Sequence, residues 1–389
     1  MDTVKERITK YQEYVIATRR YFHMHPEVGG EEIVTQQKIM DELTLLGLLP
    51  RKAAGTGVIA DLQGGLPGKT VALRADIDAL PIQDQIDKSY RSQNAGKCHA
   101  CGHDGHMAML LTMAKVFVDM KAELHGNVRF LFQPSEERFP GGAEAMIADG
   151  AMDGVDFVLG IHLWQPLAVG VVGISYGRMM ASPDEFTITV QGKGGHGSMP
   201  QDTVCALSAG AEMVCMLNTI VGRAIDPLES AVISLGMFRS GEVFNITPDS
   251  AVIKGTIRSF DQKVRMRCWD RFDEVCAGVC QATGATYTAD KIFGYPPVIN
   301  DPDISAVVAA AGRESTDPDK VQEIRPVMGA EDFSYYMQKA PGMYLFLGIG
   351  NPDKGASFSH HHPKFDMDES ALIIGVEVMV RATLRLQAQ

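Results

Sequence analysis

Eleven histidines are spread over 389 residues, yet six of them fall in two short windows, His99 to His106 and His360 to His362. Scatter alone rarely does that. The first window also carries Cys101 and Asp104, and Cys98 immediately precedes it. Imidazole, thiolate and carboxylate in one group suit Zn²⁺, Mn²⁺, Co²⁺ or Ni²⁺, and the softness of sulfur speaks against Mg²⁺ or Ca²⁺. Asp76, Asp78, Glu136-Glu137 and His162 widen the set of candidates. Five or more ligands exceed what one tetrahedral ion needs, so two ions are expected. Ions about 3.5–4 Å apart share a bridging water, lower its pKa and clamp both oxygens of a tetrahedral intermediate. Such a site still needs a general base. Of two adjacent glutamates, one can face metal and the other the water, which makes Glu137 a ligand and Glu136 the base.

These residues need elements that bring them together. An amphipathic helical stretch breaks at His25-Pro26, restarts over Glu31 to Leu46 and ends at Gly47. Strands are expected at Val58 to Leu62, Thr70 to Asp78, Asn127 to Phe132 and Val155 to Ile161, and a buried helix at Met107 to Met120. Ala143 to Asp149 reads as a short helix. After a middle segment, Ile304 to Arg313 is helical, Met343 to Gly348 is a strand, and Glu369 to Leu386 closes the chain as an amphipathic helix. Alternating strands and helices of this kind predict an α/β sheet covered on both faces. In open α/β sheets, ligands bind at the carboxyl ends of the strands. Asp76 and Asp78 lie at such an end, Glu136-Glu137, His162 and the His360-His361-His362 loop follow others, and the Cys98–His106 cluster precedes a helix. The convergence carries more than any one motif.

The pattern changes near Ser182-Pro183. Phe186, Ile188 and Val190 alternate with Thr187, Thr189 and Gln191, the period of a half-exposed strand. The order that follows is βαββαβ, a ferredoxin-like α+β domain over residues 182–293, inserted in a catalytic domain made of 1–181 and 294–389. The composition, 45% hydrophobic and 22% charged, excludes a disordered or fibrous chain. A formal charge of −12 argues against nucleic acid as a partner. No apolar run reaches the roughly 18 residues of a membrane span. Seven thinly spread cysteines are no disulfide framework, which reads as a reduced, cytoplasmic protein.

Seven segments resemble the dinuclear-metal amidohydrolases, the branch of N-acyl-amino-acid amidohydrolases, hippurate hydrolase and indoleacetyl-amino-acid hydrolases, relatives of aminoacylase and carboxypeptidase G. They are LRADIDALP (Leu73 to Pro81), ACGHDGH (Ala100 to His106), QPSEE (Gln133 to Glu137), GIHLW (Gly160 to Trp164), GKGGHGSMP (Gly192 to Pro200), GAEDF (Gly329 to Phe333) and HHPKFD (His361 to Asp366). The resemblance implies a metallopeptidase-like catalytic domain with an inserted dimerisation or lid domain. It implies two divalent ions per subunit, held by Cys101, His103, Glu137, His162 and His361, with Cys101 as the bridge. Glu136 becomes the base that activates the water and then protonates the leaving amine. Asp78 matches the residue that orients a ligand, whereas Asp76 stands where relatives have a ligand His. His196 matches a histidine that reaches a neighbouring subunit's site and stabilises the oxyanion, which implies a homodimer or higher homo-oligomer. Asn245 and Arg258 are candidates for the substrate carboxylate. The implied reaction is hydrolysis of an N-acyl amino acid; a dipeptidase or carboxypeptidase, or an inactive ligand-binding relative, are the other readings.

Plainer roles are expected elsewhere. Cys98 reads as structural, and Cys276 and Cys280 as part of an apolar helical stripe. His23 and His25 read as packing around the first helix break. His99, His106, His360 and His362 read as neighbours of ligands or as exposed, and Asp332 as a complement to a helix N-terminus.

Overall fold

The computed structural model describes residues 3–389 and divides the chain into two compact units. Among the described residues, the first comprises 3–177, 299–326 and 332–389; the second comprises 178–298 with 327–331.

The first unit is built on an eight-stranded mixed sheet. Its order across the sheet is Arg51–Ala53, Gly57–Gln63, His125–Gln133, Leu66–Asp76, Phe157–Ala168, Gly342–Gly350, Val172–Ile174 and Val321–Glu323. The four central strands run parallel to their neighbours within that group, and antiparallel pairs flank them. The parallel strands are apolar on both faces, as in Val71-Ala72-Leu73 and Val158-Leu159, because helices cover both sides of such a sheet. His103–Asp119 is one of the covering helices; it is buried on nearly every side, which explains its run of Met, Leu, Ala and Phe. Ser370–Gln387 packs against it and against Pro302–Ser315. The Asp301 carboxylate starts that last helix by accepting the Asp303 and Ile304 amides at 2.9 and 3.1 Å.

The second unit is a four-stranded antiparallel sheet ordered Ala231–Ser240, Ser250–Ser259, Ser182–Gln191, Thr286–Ile292. Helices Ala206–Leu217 and Gln262–Thr283 supply most of the rest of its core, which includes Phe186, Ile188, Val190, Trp269 and Phe272. Cys276 and Cys280 lie in that core, as the stripe predicts. One buried carboxylate ties the unit's entry and exit strands together. Asp184 accepts from the Arg265 guanidinium, the Trp269 indole at 2.7 Å and the Gly294 amide at 2.9 Å.

Three boundaries differ from expectation with consequences for chemistry. The strand expected over Thr70 to Asp78 stops at Asp76, so Asp78 lies beyond it. The strand expected to end at Ile161 continues to Ala168, which places His162 within the strand. The helix expected from Met107 begins at His103, which puts His103 and His106 on its first turn. No helix among the described residues is long and apolar enough to cross a membrane.

Candidate dinuclear metal site

Gly102 has a left-handed φ of +95°, a conformation glycine adopts freely, and it turns the chain between Cys101 and the helix that starts at His103. The His103 Nδ1 donates to the Asp78 carbonyl oxygen at 2.9 Å, and its Nε2 is buried with no hydrogen-bond partner. His162 repeats the arrangement: its Nδ1 faces the Leu163 carbonyl at 2.8 Å, and its Nε2 faces Cys101 Sγ at 3.6 Å. A ring whose Nδ1 is committed to a carbonyl is oriented to offer Nε2 to a metal. From the other side, His361 Nε2 lies 3.1 Å from Glu137 Oε1.

Two groups of ligand atoms emerge, each with all members within 4.8 Å of one another: Cys101, His103 and His162, and Cys101, Glu137 and His361. Cys101 belongs to both. A third group joins His103, Glu136 and Glu137, which puts Glu136 beside the ligand atoms. The donor set fits two divalent cations of borderline softness. The electrostatics agree. Burial, reinforced by the Glu137 and Glu136 carboxylates, holds the Cys101 thiol well above the ordinary range. Burial disfavours charge on His103, but Asp76 and Asp78 outweigh it and push the imidazole up to about 10. Cations placed among these groups displace both protons and relieve the crowding of carboxylates. Cys101→Ala is therefore expected to weaken both positions together, with bound metal, measured by plasma mass spectrometry, falling well below half. Loss of only one ion per subunit would argue against a shared sulfur.

Asp76 is fully buried and accepts from Arg74 at 2.6 Å, and its other oxygen lies 2.5 Å from His106 Nδ1. His106 Nε2 accepts the Leu163 amide at 2.9 Å. Both ring nitrogens are thus engaged, and Asp76, His106 and His103 also form a close group. Arg74 reaches Gln133 and Asp332 as well, at 2.9 and 3.0 Å. Asp332 accepts the Gly142 and Ala143 amides at 3.0 Å each, complementing the helix Ala143–Ala148 as expected. His99 and His106 are buried, so neither is an exposed neighbour.

A second buried network was not foreseen. Arg19 is fully buried and pairs with Asp104 at 2.8 Å and Asp366 at 3.0 Å, while His23 Nδ1 lies 2.7 Å from Asp104. It joins helix Gln12–Met24 to the Cys98–His106 and His360–Asp366 segments. The visible signal was the pair Arg19 and His23, four apart on the buried face of an amphipathic helix.

His99 is fully buried, and neither ring nitrogen has a partner. Burial drives its pKa down to about 3. The unfolded chain takes up this proton near pH 6.5 and the native ring does not until about 3, so stability falls as pH drops through that window. The slope approaches about 1.4 kcal/mol per unit. His99→Leu is expected to flatten urea-unfolding midpoints between pH 6.5 and 4.5; an unchanged slope would contradict it.

The remaining candidates belong to the second unit. His196 is exposed, in a two-residue strand paired to Ile246–Thr247, with its Nδ1 2.8 Å from the Ser198 hydroxyl. Asn245 is adjacent, its carbonyl accepting the Gly197 amide at 2.9 Å. Arg258 lies far along another strand, opposite Pro183 and Val232, half-buried and with its pKa lowered by burial.

A parallel-centred α/β sheet that gathers two ligand groups around one thiol, with a further glutamate beside them, is the frame of a dinuclear-metal hydrolase. The chain belongs to Peptidase family M20/M25/M40, whose pattern matches residues 72–385, and it is a hydrolase of amide bonds. It is 46% identical over 300 residues to the N-acyl-L-amino acid amidohydrolase of Geobacillus stearothermophilus, covering 77% of this chain and 81% of the relative. It is 40% identical over 380 residues to thermostable carboxypeptidase 2 of Saccharolobus solfataricus, covering 96% of each. Among solved structures, the YXEP protein of Bacillus subtilis, titled a dinuclear metal binding peptidase of the M20 family, superposes with a TM-score of 0.86 at 30% identity, over 98% of this chain and 99% of that one.

Proposed function

We propose that the protein hydrolyses the amide of N-acyl amino acids, with acetyl, benzoyl or similar acyl groups, to a carboxylate and a free amino acid. The observation that carries this reading is the pair of ligand groups sharing Cys101, with Glu136 beside them. The likeness to the Geobacillus amidohydrolase supports the substrate class.

In this reading Cys101, His103, Glu137, His162 and His361 hold two ions of Mn, Zn, Co or Ni. When bound, the ions supply Lewis acidity for the scissile carbonyl and an acidified water. Glu136 takes the proton of the attacking water and returns it to the leaving nitrogen. Asp78 orients His103 through its carbonyl. His196 donates to the oxyanion, and Asn245 and Arg258 hold the amino acid's carboxylate. His196 serves a neighbouring subunit, which makes residues 182–293 a dimerisation and lid domain and the enzyme a cytoplasmic homodimer or higher oligomer. A fully active monomer in analytical ultracentrifugation would overturn that part.

The likeness to carboxypeptidase 2 favours a second reading, cleavage of peptides at a free carboxyl end. Hippurate, acetyl-amino acids and free-amine dipeptides, each assayed with Mn²⁺, Zn²⁺, Co²⁺ and Ni²⁺, separate the two. Preference for the dipeptides would overturn the first reading.

A further inference from the structure

The turn that carries Glu136 and Glu137 is held in a conformation its own sequence disfavours. Ser135 sits at φ +57°, in the left-handed region that residues with a Cβ disfavour on steric grounds. Such a conformation persists only where the surroundings over-determine it. Here the surroundings are identifiable. Glu32, more than a hundred residues upstream, is fully buried at the start of the helix Ile33–Leu45. Its Oε1 accepts the Ser135 amide at 2.9 Å, and its Oε2 accepts the Thr56 hydroxyl at 2.6 Å.

The Glu32 carboxylate caps no helical amide: the Glu27 carboxylate accepts those of Val34 and Thr35, in the first turn, at 3.2 and 2.8 Å. That of Glu32 is directed to the turn. Gly29 lets the segment come close: a Cβ there would lie 3.2 Å from both Ser135 Cα and Oγ. At the peptide between the two glutamates, Asp78 Oδ2 accepts the Glu137 amide at 3.0 Å. The backbone of the glutamate turn is thus held at two amides, those of Ser135 and Glu137, by buried carboxylates. Only Asp78 also touches a candidate ligand.

We infer that Glu32 is a positioning residue for hydrolysis: by holding the Ser135 amide it sets the direction in which Glu136 and Glu137 leave the turn. The inference rests on the reading of Glu136 as base and Glu137 as ligand. Burial raises the Glu32 carboxyl above its ordinary range, which is the electrostatic cost of placing it there. A residue serving only the helix would have no reason to be buried against this turn.

The test compares three variants of the full-length, metal-loaded enzyme with the parent. Glu32→Ala is expected to lower kcat about 10²-fold, the scale of a small misplacement of catalytic groups, with KM changed by less than about threefold. Metal retained after dialysis against a chelator also falls, because Glu137 shares the turn. Glu32→Gln keeps kcat within about threefold, since its amide oxygen still accepts the Ser135 amide and its NH₂ group donates to Thr56. Glycine adopts positive φ without steric cost, so Glu32→Ala with Ser135→Gly regains at least about tenfold in kcat over Glu32→Ala, and regains metal retention. A folded Glu32→Ala enzyme with unchanged kcat, or a double variant no better than Glu32→Ala, would overturn the inference. Failure of the base reading shows separately, as substantial turnover by metal-loaded Glu136→Gln; metal retention through Glu137 then still decides whether Glu32 positions the turn.

Discussion

Glu136→Gln is expected to keep its metal and lose about 10²–10⁴-fold in kcat, the range a positioned general base contributes. Glutamine matches the shape of glutamate but has no site that takes up a proton at neutral pH. The ligand groups that include Cys101 do not need Glu136: one comprises Cys101, His103 and His162, the other Cys101, Glu137 and His361. Metal content by plasma mass spectrometry should therefore match the parent protein, and KM should move little. Turnover above about a tenth of the parent's in the fully loaded variant would remove Glu136 from the role of base. Loss of metal alongside activity would make it a ligand instead.

The largest expected effect on stability lies away from the chemistry. Asp184→Ala strips the partner from a buried guanidinium, Arg265, and leaves the Trp269 indole and the Gly294 amide without their acceptor. Breaking a buried pair from one side costs about 3–5 kcal/mol, because the remaining charge stays desolvated. Trp164 and Trp269 are the chain's two tryptophans, one in each unit. In a Trp164→Phe background, urea unfolding followed by Trp269 fluorescence reports on the second unit alone. A loss below about 1 kcal/mol would mean that water reaches Arg265 and replaces the carboxylate.

Much of this molecule is legible from residue order. The long elements are, because their periodicity is strong: the closing helix expected over Glu369 to Leu386 is found at Ser370–Gln387, and Ser182–Gln191 alternates as read. The three-residue strands of the large sheet, Arg51–Ala53, Val172–Ile174 and Val321–Glu323, are not, since three residues hold too little pattern to separate from loop. The ligand candidates Cys101, His103, Glu137, His162 and His361 were visible as motifs, and the structure gathers them. What sequence could not reveal was the support. Arg74 interrupts an otherwise apolar strand, and Arg19 sits among the buried residues of an N-terminal helix; beyond its near neighbour Asp76, Arg74 pairs with the distant Asp332, and Arg19 pairs with the distant Asp104 and Asp366. A buried charge announces that it has a partner but not which one. The same holds for Glu32, whose partner Ser135 lies in a turn with no helical or strand period to mark it.

The order of strands in the large sheet also governs when the protein can be finished during synthesis. Gly342–Gly350 lies between Phe157–Ala168 and Val172–Ile174, so the neighbours made first must wait for a strand translated much later. At about 5–20 residues per second, that interval is roughly ten to forty seconds. The second unit needs no such wait, because residues 178–298 supply all four of its main strands in one continuous stretch. A nascent chain therefore passes through a stage with a completed insert and an open parallel edge at Phe157–Ala168. That edge, rich in Val, Leu and Ile, is where premature pairing between copies would start, and it closes only when the last quarter of the chain arrives.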